Sequence, residues 1–157
     1  YEVPDAAACV TCHQNNNNII PIGPKLRSMN FEVNGINQLQ SFINAGYLTS
    51  SPDPSSIGVL PDWEDISLTD EDRVRAYFDM NCAHCHAPGG YHNLNYFEAM
   101  DLRYETRFSD SGIFDHKNSI IARMQNIAIE GYGMPFIGVT APHQEALDLI
   151  IPYLESL

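Results

Sequence analysis

Positive charge is scarce in this 157-residue chain: eight Lys and Arg stand against twenty Asp and Glu, a formal net charge of -12. So acidic a surface repels phosphate backbones and anionic bilayers, which removes nucleic acid and charged membrane surfaces as partners. No run approaches the ~20 apolar residues of a membrane-spanning helix, and Tyr1 opens a polar stretch without the pattern of a secretory signal. Phosphate-binding Gly-rich loops, Gly-x-Ser-x-Gly elbows and metalloprotease helices are missing too, so nothing points to nucleotide, serine-hydrolase or zinc-protease chemistry. Cysteine is limited to four residues and tryptophan to one.

All four cysteines fall in two pentapeptides, Cys9-Val10-Thr11-Cys12-His13 and Cys82-Ala83-His84-Cys85-His86. CxxCH is the attachment signature of c-type haem. Two thiols three positions apart reach the two vinyl groups of one haem, and the histidine that follows turns its imidazole onto the iron. Structural zinc usually gathers its ligands within ~12–20 residues, whereas 69 residues separate Cys12 from Cys82 here. A thioredoxin-like pair wants a βαβ setting and needs no trailing histidine. A disulfide closing four residues stabilises little. The expectation is therefore two covalently bound haem c groups. Cys9, Cys12 and His13 serve haem I, and Cys82, Cys85 and His86 serve haem II. Haem c is attached outside the cytoplasm, so the expected chain is a mature exported one, periplasmic or extracellular, whose signal has been removed.

The expected fold is mainly α, in two lobes: residues 1–60 around haem I and residues 61–157 around haem II, with Ser51–Ser56 as linker by composition. In the second lobe Thr69 caps a helix, with Asp72 three residues on as a short-armed capping box and acids in the first turn. Val74, Tyr77, Phe78 and Asn81 follow helical spacing up to Cys82. Pro88-Gly89-Gly90 breaks the chain, and residues 118–124 form a short helix. Gly131-Tyr132-Gly133-Met134-Pro135-Phe136 is a loop with a methionine at its tip. Thr140 and Pro142 open a last helix with Leu147, Ile150, Ile151 and Leu154 on one face and a kink at Pro152.

That order, helix, CxxCH, loops, Met-Pro loop and terminal helix, resembles class I cytochrome c. The resemblance covers residues 67–157. It implies that Phe78 lies between the first and last helices, that His86 is the proximal ligand and that Met134 is the distal ligand of haem II. Met100 and Met124 lack the loop setting and are read as core. The first lobe is abbreviated, with eight residues before Cys9 and a polar loop at Asn15–Asn18. Gly23-Pro24-Lys25-Leu26 resembles the segment whose proline carbonyl accepts a hydrogen bond from the proximal imidazole, which would pair Pro24 with His13. Ile36, Leu39, Phe42 and Ile43 read as a helical stripe ended by Gly46. Haem I has no Met-Pro loop; His92 ranks first as its distal ligand, Met29 second and an open site third. His116 is read as an exposed side chain, His84 as turned away from the iron, and His143 as solvated. Arg27, Arg103 and Trp63 are candidate partners of the haem propionates, against ordinary ion pairing and core packing.

The whole chain also resembles a family of bacterial dihaem c-type cytochrome domains. The shared features are Ile22-Gly23-Pro24-Lys25 ending in Asn30, Asn81 to His86 followed by Pro88-Gly89-Gly90, Asp101-Leu102-Arg103-Tyr104, and the late Met-Pro. The resemblance implies electron transfer between redox proteins, with copies of the chain among the possible partners. The acidic residues crowded at Asp62, Glu64, Asp65, Asp70, Glu71 and Asp72 serve chiefly as a solvated surface, with docking to a basic redox partner as their second use. Two alternatives stay open: a peroxidase-like enzyme with an open haem I, and a subunit of an electron-conducting assembly.

Overall fold

The computed structural model describes residues 5, 8–22, 25–97 and 99–157. The chain is mainly helical. In order it forms α1 (Cys9–Cys12), the hairpin β1 (Gln14–Asn15) and β2 (Asn18–Ile19), the hairpin β3 (Glu32–Val33) and β4 (Ile36–Asn37), α2 (Gln38–Asn44), α3 (Asp70–Asn81), α4 (Tyr91–Asn95), α5 (Ile113–Gln125) and α6 (Gln144–Ser156). Among the described residues no helix is long and apolar enough to cross a membrane.

Two compact units divide the chain: Tyr1–Ile22 with Trp63–Leu157, and Gly23–Asp62. The boundary expected at residue 60 lies close to Asp62, but the first CxxCH leaves the abbreviated lobe and joins the unit of the second. The cause is local. The four asparagines expected as a polar loop make a tight hairpin, with Asn16 and Asn17 both at positive φ (48° and 63°), the geometry that asparagine tolerates best among side-chain-bearing residues. From that turn Asn16 N–H donates to the Gly89 carbonyl at 2.8 Å, and Asn15 Nδ2 donates to the Pro88 carbonyl at 3.4 Å. The turn that follows the second motif thus receives the hairpin that follows the first.

In the larger unit α3 packs on α6 and α6 on α5. Val74, Phe78, Ile150 and Leu154 are essentially fully buried in one cluster with Ile113, each contributing about 1.5–3 kcal/mol of transfer free energy. Asn81, the fourth position of the expected stripe, is exposed. The α3 start matches its sequence signal: Thr69 Oγ1 accepts the Asp72 N–H at 3.1 Å. The Asp72 carboxylate does not reach back to the cap backbone; it accepts the hydroxyls of Thr69 at 2.7 Å and Tyr104 at 2.9 Å. The Thr69 hydroxyl is the largest of the influences that hold this carboxyl below its usual range, ahead of the Tyr104 hydroxyl and the Arg75 charge. Thr69→Ala is expected to lower stability by about 1 kcal/mol, read by urea denaturation at pH 7. A carboxylate with a depressed folded pKa stabilises above its unfolded value and loses that contribution as pH falls through the folded one. The Asp72 part of the difference therefore fades below about pH 4.

Helix α5 begins five residues before the expected 118, because Gly112 at φ 77° turns the chain directly into it. Helix α6 begins at Gln144, with His143 rather than Thr140 at its N-cap, and continues through Pro152, which lies on the exposed side.

The Gly23–Asp62 unit is organised by an amide. Asn30, nearly buried, donates to the carbonyls of Pro54 (3.0 Å) and Ile57 (2.6 Å) and accepts from Asn37 Nδ2 at 2.8 Å. Asn37 in turn caps α2 through Gln40 N–H at 3.1 Å. Leu39 is fully buried. Ile36, expected on the helical stripe, is instead an exposed residue of β4. Asn34 and Gly35, both at positive φ, form a hairpin turn just before it.

Candidate functional site

The two CxxCH segments fold as the same turn. In the first, His13 N–H donates to the Cys9 carbonyl at 2.9 Å; in the second, His86 N–H donates to the Cys82 carbonyl at 3.0 Å. Both turns open onto one cavity of about 850 Å³ in the larger unit. All four cysteines and all six histidines of the chain lie on its wall. Apolar surface completes the lining, Phe78, Leu102 and Ile120 among it. All four thiols are free.

Each histidine is held differently. His13 Nδ1 lies 3.0 Å from the Ile20 carbonyl and 3.4 Å from Ile22 N–H. The shorter contact assigns the proton to Nδ1 and leaves Nε2 a bare lone pair. The carbonyl that faces Nδ1 here is that of Ile20; Pro24, expected in that role, lies outside the described residues. His86 Nδ1 is buried without a partner. Burial, then the neighbouring His92, hold the His86 ring down to about 4, so it is neutral and able to ligate at physiological pH. His92 Nδ1 stands 3.2 Å from Asn93 Oδ1, and the same amide grips the backbone of Met100. The His92 ring packs on His86 with centroids 4.3 Å apart and on Tyr96 at 5.2 Å.

His84 faces the same cavity, and its Nδ1 is also buried without a partner. With Cys12 and Cys85 it forms a group whose ligand atoms lie within 4.8 Å of one another, the metal-competent cluster among the described residues. Hydrogen bonds from the Cys85 thiol and then from His84 draw the Cys12 thiol down to about 5. The same contact pushes Cys85 up, and burial pushes Cys82 up to about 12. The Cys85 thiol also lies 3.3 Å from the Thr11 carbonyl, so the motifs touch directly.

Met134 is on the cavity wall, as are Met100 and Met124; the last two also pack in or against the core. Gly133 beside Met134 is required by space: a Cβ there would stand 2.5–2.7 Å from the Ile127 backbone. His143 is half-exposed rather than free in solvent, with Nδ1 3.1 Å from the Tyr77 hydroxyl and Nε2 3.6 Å from Glu145. Trp63 and Arg103 are not on the wall. Trp63 meets Tyr77 and His143 edge to face at 5.2 and 5.4 Å, and Arg103 forks Asp101 at 2.8 and 2.5 Å. Arg27 and Met29 sit on the 3-10 turn Leu26–Met29 of the smaller unit. His116 and Arg123, both on α5, complete the wall. Nothing in the sequence marks Arg123, since a lone arginine near a helix end reads as an ordinary response to the helix dipole.

Comparison of the chain with protein-family models, with curated proteins and with solved structures gave no match.

Proposed function

We propose that this chain is a dihaem c-type cytochrome that passes single electrons between redox proteins outside the cytoplasm, its larger unit having the arrangement of a class I cytochrome c. The observation that carries the reading is the convergence of both CxxCH turns, with every cysteine and histidine of the chain, on one cavity. The residues fit the group. Free thiols stand at both motifs, and a neutral imidazole with an unpartnered nitrogen is buried at His86.

Cys9, Cys12 and His13 would hold one haem, and Cys82, Cys85 and His86 the other. Each thiol would hold its haem by adding S–H across a vinyl double bond, with no leaving group. Bound there, haem supplies a reversible one-electron ferric–ferrous couple. Met134 would complete the second site, where a thioether favours ferrous iron and raises the potential. His92 would complete the first. Its ring lies against His86 with no gap for a macrocycle between them, which supports giving the two histidines to different irons. The Asn93 contact leaves His92 Nε2 unprotonated for that role. The Ile20 carbonyl orients the His13 ring.

The test is the visible spectrum of the reduced protein before and after carbon monoxide, with haem counted by mass. Two haems and an unchanged spectrum are expected. If half the haem takes carbon monoxide, one site is open and the peroxidase-like reading takes over.

The Cys12–His84–Cys85 group favours a second reading, a soft divalent metal such as zinc bridging the motifs. Three donors leave tetrahedral zinc one ligand short, and Cys9, Cys82, His13 and His86 are then without a task. A haem-free protein carrying one equivalent of zinc by elemental analysis would establish it in place of the cytochrome.

A further inference from the structure

We propose that Arg123 is the positioning residue that holds the Met134 loop against the cavity, an inference that rests on the haem reading above. Its backbone and side chain act on the loop together. The Arg123 carbonyl accepts the Met134 N–H at 3.0 Å. The guanidinium donates through Nη1 to the Tyr132 carbonyl at 2.9 Å and lies 4.8 Å above the Tyr132 ring. Its Nε donates to Ser119 Oγ, one turn back on α5, at 3.2 Å. The loop is therefore held at the Met134 amide by the Arg123 backbone and two residues earlier by the Arg123 side chain, both from a helix that packs on the core. The loop has a second constraint, with Tyr132 and Gly133 N–H both donating to the Ile129 carbonyl at 3.0 and 2.9 Å. That bond pair shapes the turn, and Arg123 ties it to α5. Lysine substitutes only in part, because one ammonium lacks the planar fork that reaches Ser119 and Tyr132 at once.

The test compares the haem-loaded protein with its Arg123→Ala and Arg123→Lys variants. The readouts are the long-wavelength charge-transfer band of methionine-ligated ferric haem and the pH at which that band is lost. In Arg123→Ala the ligand-loss equilibrium should shift about tenfold, equivalent to ~1.4 kcal/mol, so the band fades at lower pH while haem content stays at two. Arg123→Lys should fall between. Should Arg123→Ala fail to fold, Ser119→Ala and Tyr132→Leu each remove one hold on the guanidinium and should shift the midpoint in the same direction. An unchanged band and midpoint in these variants would overturn the proposal alone. A band absent from the unsubstituted protein would overturn it together with the Met134 assignment, whereas haem content judges the dihaem reading separately.

Discussion

Replacing Cys82 and Cys85 together with alanine should yield a chain that carries one haem in place of two, and replacing all four cysteines should yield one that does not fold. The first result follows from the attachment chemistry, since each motif carries its own pair of thiols and its own histidine. The second follows from the cavity. The space of about 850 Å³ is lined mainly by apolar surface; without the haems that surface meets water and forfeits burial worth about 25 cal/mol per Å², in a domain stable by only ~5–15 kcal/mol. Intact mass measures the first result, and near-ultraviolet circular dichroism of the fourfold variant measures the second. A double variant that still gains the mass of two haems would refute the assignment of Cys82 and Cys85. A fourfold variant with native side-chain dichroism would mean that the cavity stands without its cofactors.

The second large effect is expected at Gly90. A Cβ built there meets the Cys85 carbonyl oxygen at 2.5 Å, its carbon at 2.9 Å and the His84 carbonyl at 3.0 Å. All three are backbone atoms of the second motif, so no side chain can swing aside to relieve the clash. Gly90→Ala therefore displaces either the motif or the turn after it. It disturbs the Gly90 to Ala87 bond at 2.9 Å and the His92 to Cys85 bond at 3.1 Å. Overpacking of this kind costs about 1–3 kcal/mol, and His92 moves with the turn. Fewer chains with both haems and a lower denaturation midpoint are expected, by mass and by urea titration. Gly58→Ala is the control: open space surrounds that position, and no change is expected. Equal behaviour of the two variants would show that the close approach at Gly90 has no consequence.

Local signals were readable in the sequence, and remote ones were not. Thr69 with three acids behind it marks α3, and the spacing of Leu147, Ile150 and Leu154 marks α6; both rest on contacts within a few residues. The Asn34-Gly35 hairpin was also written locally, but the apolar spacing from Ile36 onward concealed it, since helical periodicity and a short strand share their first members. The union of the two motifs is of another kind. It depends on Asn15 and Asn16 meeting Pro88 and Gly89, 73 residues apart, and no periodicity encodes a meeting between two polar turns. Arg123 leaves no mark in the sequence for a similar reason, because its side-chain partners are a backbone carbonyl, a hydroxyl and a ring, which form no pattern of charges. His143 reads as solvated in the sequence because Trp63 and Tyr77, which flank it, come from 80 and 66 positions earlier in the chain.

In the language of chain statistics, Gly23–Asp62 is an excursion that leaves the larger unit at Ile22 and returns at Trp63. The entropy lost in closing such an excursion grows only with the logarithm of its length, about 0.6 kcal/mol for each doubling. Bringing the motifs together across 69 intervening residues is thus little harder than across a loop half as long. The length of the excursion is accordingly almost free to vary, and the meeting of the motifs is set by the asparagine turn that receives the Pro88–Gly90 bend.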